Sequence, residues 1–313
     1  MSAGHSEPRV AVVIPCYDEA PTIEAVVRDF AKALPQAKIY VFDNNSRDGT
    51  SELARRAGAE VIHSPVQGKG NVVRHVLRSV DADVYLMVDG DGTYPADAAP
   101  ALLARFLADD LDMLVGTRLE AHARGAFRGF HRLGNRWISR LISLLFRIEL
   151  TDVLSGYRLL SRRFLDVVRV RTGGFEIETE LTLQALAKGM SIAEVPIRYE
   201  RRPEGSTSKL NTWSDGFLIA RCIGLLFKDY KPLAFFTAIS LLLTLAALAS
   251  GSAPVIDFIQ TGYVLHVPRA ILAAGLGILA VVSLTAGLIL DTIAKFHAET
   301  IELWQRHLRE HRS

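Results

Sequence analysis

Two stretches, Leu233–Gly251 and Ala270–Leu290, contain no Asp, Glu, Lys, Arg or His. At about 1.5 Å of rise per residue, a helix over either one reaches across a bilayer core of about 30 Å. A buried helix of that length in a soluble protein would carry a polar face. The pair predicts a transmembrane hairpin over residues 232–291, with spans at 233–251 and 270–290. The connection Ser252–Arg269 holds Asp257 and Arg269 as its full charges, while Arg221, Lys228 and Lys231 precede the first span. Lys295, Arg306, Arg309 and Arg312 follow the second. By the positive-inside rule both ends face the cytoplasm, and residues 292–313 form a charged helix along that face. Apolar residues make up 49% of the chain, and their excess is concentrated in this last quarter.

The remainder reads differently. Val10–Ile14 is a buried strand, and Thr22 looks like the N-cap of a helix carrying Ile23, Val26, Val27, Phe30 and Leu34 at a 3.6 period. Lys38–Phe42 is a second strand, opening into Asp43-Asn44-Asn45-Ser46-Arg47-Asp48-Gly49-Thr50 and a helix over Ser51–Ala57. Glu60–Ile62 is a third, followed by Gln67-Gly68-Lys69-Gly70 and a helix with Val72, Val73, Val76 and Leu77. Further along come a strand at Tyr85–Val88, a helix through Ala99–Ala108, a strand within Asp112–Arg118 and a late strand in Ser191–Tyr199. Pro196 places that last strand at an edge. Strands alternating with helices specify an α/β fold, a doubly wound, Rossmann-like and mostly parallel sheet. The N-terminal segment Met1–Pro8 is short and polar, with no signal peptide, so residues 1–212 are expected to form a cytosolic domain.

The strand Tyr85-Leu86-Met87-Val88 runs straight into Asp89-Gly90-Asp91. At the carboxyl end of a parallel strand, such a pair faces the crevice where α/β sheets bind ligands. Two hard oxygen donors one residue apart suit Mg²⁺ or Mn²⁺ held together with substrate phosphates, and Gly90 leaves room for a bulky ligand to approach. An acidic turn is the plain alternative. Other polar residues gather at the strand exits: Tyr17 and Glu19, Asp43 and Asn44, Lys69, Arg118. Taken together they make a nucleotide site. Neither a Gly-x-Gly-x-x-Gly nor a phosphate-loop motif is present. A net charge of +2 argues against a nucleic-acid partner, and the two cysteines, Cys16 and Cys222, suit a reducing compartment.

Val12-Val13-Ile14-Pro15-Cys16-Tyr17-Asp18-Glu19, the Asp43–Thr50 run, Gly68-Lys69-Gly70 and Asp89-Gly90-Asp91 resemble family 2 glycosyltransferases. Within that family they are similar to the polyprenyl-phosphate sugar synthases of the dolichol-phosphate mannose synthase kind. The resemblance implies a GT-A fold. It implies that Pro15, Tyr17, Glu19 and Asp43, with Asn45, Lys69, Asp89 and Gly90, bind the nucleotide. It implies too that Asp89 and Asp91 hold the metal on the diphosphate. Asp18 stands where the family often has Asn, and Thr93 where such mannose synthases tend to carry Gln.

Residues 124–149 repeat Arg128, Arg132, Arg136 and Arg140 every four positions, with Leu133, Trp137, Leu141, Leu144, Leu145 and Ile148 on another face. That is the pattern of an interfacial amphipathic helix, or of an ordinary helix with a solvated basic face. Residues 213–231 read as a second interfacial helix. Arg201–Lys209 resembles a substrate-closing loop of the same synthases, which makes Arg202, Ser208 and Lys209 phosphate candidates beside Arg118 and Arg132. In Thr151–Arg158, Asp152 and Arg158 can hold each other or grip substrate; the resemblance puts an acidic residue here next to the acceptor. Glu176, Glu178 and Glu180 open a helix, where its dipole favours carboxylates.

The expected activity is inverting transfer of one sugar from a UDP- or GDP-linked donor to an undecaprenyl- or dolichyl-type phosphate. It would occur at the cytosolic face of the plasma (inner) membrane, with Asp91, Asp152 and Arg118 as catalytic candidates, in a chain able to form a homo-oligomer. A phosphate acceptor is already anionic, so no strong base is needed. Transfer to a sugar hydroxyl of a lipid-linked glycan would need a carboxylate base, Asp152 or a Glu of 176–180. A non-catalytic nucleotide-sugar-binding scaffold is the third reading.

Overall fold

The computed structural model describes residues 7–118, 139, 140, 142, 143, 146, 148–174, 176–200, 202, 203, 221, 223–225 and 227–310. The chain divides into two compact units, Met1–Ile223 and Gly224–Ser313.

In the first unit the described strands are β1 (Val10–Cys16), β2 (Lys38–Asp43), β3 (Glu60–His63), β4 (Val84–Met87), β5 (Met113–Thr117), β6 (Arg158–Ser161) and β7 (Ile192–Pro196). They form one sheet in the order β3-β2-β1-β4-β6-β5-β7. All neighbours are parallel except β6, which runs antiparallel to both β4 and β5. Fully described α-helices of this unit are α1 (Ile23–Ala33), α2 (Thr50–Arg56), α3 (Lys69–Ser79), α4 (Ala99–Ala108), α5 (Arg162–Val167) and α6 (Ile177–Ala187).

Period-two alternation splits the strand side chains between two core layers. Val10, Val12 and Ile14 of β1 with Val84 and Leu86 of β4 pack under α1 and α4, against Val26, Phe30, Leu102 and Phe106. Ala11, Val13, Tyr85 and Met87 face the opposite layer, where Val72, Val76, Phe164, Ile177 and Leu181 come from α3, α5 and α6. Both sheet faces are covered, as the near-continuous apolar strands require. The helix α6 is buried without interruption from Ile177 to Ala185, so its polar residues point into protein.

The edge position of β7 follows the expectation from Pro196. The strand β6 was not expected. Its four residues Arg-Leu-Leu-Ser are too short to give a period, and Arg158 at its start is fully buried.

In the second unit, α7 (Pro232–Thr261) and α8 (Val267–Glu310) pack against each other. Pro232–Thr261 and Val267–Phe296, whose most apolar 18-residue stretches have mean hydropathies of 2.2 and 2.3, are long and apolar enough to cross a membrane. Most of their apolar side chains are exposed, Leu242, Ile259 and Ile271 among them. Where a loop over Ser252–Arg269 was expected, α7 continues through Pro254 to Thr261 and the turn occupies 262–266. Gly262 stops the helix in the left-handed region (φ 74°), its N–H donating to Phe258 O at 2.9 Å. Beyond the second span α8 runs on unbroken to Glu310.

Candidate active site

The strands β1 and β4 part at their carboxyl ends. Their pairing stops at Val13 with Met87, and Val88 N adds one last bond to Val13 O at 3.2 Å. Pro15, which has no N–H to give, lies beyond that point, paired only toward Phe42 of β2. The chain after β4 then crosses close to β1. A Cβ on Gly90 would sit 2.6 Å from Cys16 Sγ, so packing against Cys16 and Ile14 accounts for this glycine. Thr22, at the start of α1, makes no cap bond. Its hydroxyl donates to Gly90 O at 2.6 Å and ties the helix to the Asp89–Asp91 turn.

Asp91 is 3% exposed. Its Oδ1 accepts from Thr93 Oγ1 at 2.6 Å and Thr93 N at 3.1 Å, and its Oδ2 lies 2.5 Å from Arg202 Nη2. Burial and the neighbouring charge of Asp89 push the Asp91 carboxyl up, against the pull of Arg202 and Thr93. Asp89 pairs with Lys69 Nζ at 2.5 Å through Oδ1, and Lys69 also reaches Glu178 Oε1 at 2.5 Å. Burial opposes the Lys69 charge, but Asp89 and Glu178 outweigh it and hold the ammonium above its ordinary range. The backbone of Gly156 walls the other side of Asp89: a Cβ there would stand 2.5 Å from Oδ2.

The glycines around Lys69 have a packing cause. The first turn of α3 lies on the 172–174 backbone, where a Cβ on Gly68 would meet Gly173 O at 2.2 Å and one on Gly70 Thr172 O at 2.4 Å. Gly68 also needs the left-handed region, at φ 118°.

Three loops on the β1–β3 side are laced together. Asp43 accepts from Ser46 N (3.1 Å) and Ser51 Oγ (2.8 Å), and Glu19 N donates to Thr50 Oγ1 (2.9 Å). Asn44 donates to Ser64 O and Val66 O and accepts from Gly68 N, each at 2.8 Å. Asn45 reaches Pro65 O and Gln67 Oε1 at 3.1 Å. Tyr17, at the mouth of β1, is 39% exposed.

At the β5 exit Arg118 forks onto Asp152: Nε to Oδ2 at 2.8 Å, Nη2 to Oδ1 at 2.7 Å, with Arg118 N adding 2.9 Å to Oδ2. The guanidinium stands 5.7 Å from the centre of the Tyr199 ring. Arg158 turns elsewhere, donating to Ser155 O, Val153 O and Thr182 Oγ1 from a fully buried position. The bidentate partner of Asp152 is thus Arg118. Glu180 accepts from Arg171 N, Thr172 N, Thr172 Oγ1 and Gln184 Nε2, which fixes the 171–172 loop. Glu176 Oε2 is buried with no hydrogen-bond partner among the described residues.

The structure therefore brings Lys69, Asp89, Asp91 and Arg202 together, with the exits of β1 and β2 alongside. Arg132, Ser208 and Lys209 lie outside the described residues, as do most of 124–149 and 213–220. Glu178 was read as a helix-end carboxylate or, with Glu176 and Glu180, as a candidate base; the salt bridge to Lys69 is long-range, and no spacing announces it.

A model of glycosyl transferase family 2 matches residues 11–169, which contain the Asp89–Asp91 turn, Lys69 and Arg118. The chain belongs to that family. This family 2 glycosyltransferase is 32% identical to glycosyltransferase AglJ of Haloferax volcanii over 94% of this chain and 96% of that protein. It is also 32% identical to a dolichyl-phosphate hexose transferase of the same organism, over 68% of this chain and 92% of that one. Its fold is that of glucosyl-3-phosphoglycerate synthase from Mycobacterium tuberculosis, crystallised with Mn²⁺, UDP and glucosyl-3-phosphoglycerate. That match has a TM-score of 0.58 at 20% identity, over 73% of this chain and 85% of that one.

The donor set suits a divalent ion in this GT-A frame. Two adjacent carboxylates, one of them buried and pushed up by the other's charge, are a pair whose repulsion a cation relieves. In the protein alone, Lys69 and Arg202 supply the compensating charge.

Proposed function

We propose that this glycosyltransferase moves a single sugar from a nucleotide-diphosphate donor to a polyprenyl phosphate at the cytosolic membrane face, with inversion at the anomeric carbon. The observation that carries this is the state of the carboxylates. Asp152 is forked by Arg118, Glu178 is paired with Lys69, and Glu180 is spent on the 171–172 loop. A hydroxyl acceptor would need one of them free as a base, whereas a phosphate acceptor arrives already ionised. Two bilayer-length apolar helices in the same chain, and a relative named for dolichyl phosphate, support a lipid acceptor.

In this reading Tyr17, Glu19, Asp43 and Asn45 hold the nucleoside, with Pro15 and Gly90 shaping the pocket. Asp89 and Asp91 would hold Mg²⁺ or Mn²⁺, which supplies Lewis-acid charge to the departing diphosphate. Lys69 stands beside them as a fixed positive charge. Arg202 neutralises Asp91 in the free protein and is a candidate partner for an incoming phosphate. Arg118 has its fork on Asp152 and stands over the Tyr199 ring, a fixed positive charge at the β5 exit. The masking of charge by these cations, in a buried setting, is what electrostatic catalysis requires.

The test is transfer of label from a panel of UDP- and GDP-sugars to a short polyprenyl phosphate in membranes containing the protein. Activity should depend on a divalent ion, vanish in EDTA and vanish in Asp91→Ala with the fold retained. Turnover that persists in EDTA, or that appears only with a glycosylated lipid, overturns the reading. One observation favours that second acceptor class: Glu176 keeps a buried, unpartnered carboxylate oxygen. If a sugar hydroxyl is the acceptor, Glu176→Gln will abolish transfer; with a phosphate acceptor it will not.

A further inference from the structure

Lys69 lies between two carboxylates, 2.5 Å from Asp89 Oδ1 and 2.5 Å from Glu178 Oε1. The side chains of Lys69, Asp89 and Glu178 are 11%, 29% and 6% exposed, so water screens little of their charge. The pairing joins α3, the β4 exit and α6, three elements far apart in sequence. Behind Glu178 stands a second buried cation. Arg158 donates to Thr182 Oγ1 one turn along α6, and the Glu178 charge acts on it.

These charges pose a problem for a cation site. Lys69 alone would cancel Asp89, and Arg158 would add positive charge behind it. Glu178 cancels one of the two. With it, the local sum over Lys69, Arg158, Arg202, Glu178, Asp89 and Asp91 is zero; without it, the sum is positive. An ammonium shared with Glu178 is also one that cannot collapse wholly onto Asp89.

We propose that Glu178 is a positioning residue for the divalent-cation site: by taking part of the Lys69 ammonium it keeps Asp89 anionic enough to receive the ion. It acts through Lys69 and touches neither substrate nor ion. The same contact removes Glu178 from the candidates for general base, since its Oε1 is engaged by the ammonium. The inference rests on the metal part of the proposed function and extends it to a residue outside the Asp-Gly-Asp turn.

The test uses the full chain in detergent, with Mn²⁺ titrated in the presence of UDP or GDP and read by calorimetry and by the Mn²⁺ resonance signal. In Glu178→Gln the Mn²⁺ concentration for half-saturation should rise about tenfold, while nucleotide binding in EDTA stays within about twofold of the parent. Glu178→Asp, which keeps the charge, should recover most of the loss. The double variant Lys69→Met with Glu178→Gln restores the local charge sum and should bind Mn²⁺ within about threefold of the parent. These two variants also carry the comparison if Glu178→Gln alone folds poorly. The inference is overturned if Glu178→Gln titrates like the parent, or if Glu178→Asp and the double variant are as weak as Glu178→Gln. A parent protein that binds both nucleotides without any Mn²⁺ dependence would instead remove the metal reading itself.

Discussion

Arg118 and Asp152 close on each other as a two-pronged ion pair, 2.8 and 2.7 Å, with side chains only 13% and 3% exposed. The pair joins the exit of β5 to the loop that leads into β6. Removing one partner leaves the other charged and buried, which costs about 3 kcal/mol or more. Asp152→Ala and Arg118→Ala should each lower the thermal midpoint by several degrees. Replacing both by apolar residues of similar size should restore much of it, since the pair's net worth is small. Calorimetric melting of the four proteins checks this. Equal melting temperatures in the single variants and the parent would mean that the fork carries no stability.

Gly156 has no room for a side chain. The first carbon of one would lie 2.5 Å from Asp89 Oδ2 and 2.9 Å from its carboxyl carbon. Gly156→Ala should displace Asp89, reducing sugar transfer at least about tenfold while the midpoint falls far less than in a core truncation. Measured turnover and melting, compared with Gly189→Ala at a surface turn, separate the two effects.

The Tyr157 hydroxyl is buried with no hydrogen-bond partner among the described residues, and its ring packs edge-on to Phe30 and Tyr94. Removing that oxygen leaves the packing intact. Tyr157→Phe is expected to be neutral or to stabilise by up to about 1 kcal/mol, in a position where most changes destabilise. Chemical denaturation gives the sign.

Asp112 gathers the far half of the sheet: its carboxylate accepts from Arg163 Nε at 2.6 Å, Ser191 N at 3.0 Å and Ser161 Oγ at 3.1 Å. Burial would raise this carboxyl, but the donors from Arg163, Ser191 and Ser161 hold it below the usual value of 3.8. A carboxylate lowered on folding stabilises the protein at all pH values above its unfolded titration. That stability is lost as pH falls from about 4 through the lower folded value. Asp112→Asn should therefore lower stability near neutrality by about 2 kcal/mol and flatten the acid limb below pH about 4. Denaturation midpoints across pH provide the measurement.

For the hairpin, a cysteine introduced at position 264 in a Cys222→Ala background, which keeps only the buried Cys16, should react with an impermeant maleimide from outside intact cells. One placed at 231 should react only after the membrane is opened. The reverse pattern would turn the domain to the other side of the bilayer.

Much of this arrangement could be read from the chain before any coordinates. The parallel strands β1 to β5 and the helices between them announce themselves through apolar runs and helical periods, because each is a local pattern. Pro196 likewise betrayed an edge. What stayed hidden is long-range pairing. The strand β6 carries a buried arginine and four residues of no distinct period, and its antiparallel course depends on partners far away in sequence. Thr22 has the chemistry of a cap, but its hydroxyl goes to Gly90 O. Asp152 sits six residues from Arg158 and yet forks with Arg118, while the Arg158 guanidinium is taken up by the Val153 and Ser155 carbonyls. That Lys69 would lie with Asp89 at the strand exits was legible, whereas its second carboxylate was not.

The reversed direction of β6 has a structural corollary. The chain leaves the sheet at the top of β5 and re-enters at the top of β6, beside the same rim, so everything from 118 to 157 is strung between two neighbouring posts. Between those posts, 119–150 can lengthen, shorten or be exchanged without breaking the pairing of β5 with β6, whereas 151–157 is held to Glu194, Arg118 and Asp89. Divergence among homologues is therefore expected to accumulate in 119–150, while the strands and the Asp89–Asp91 turn vary slowly.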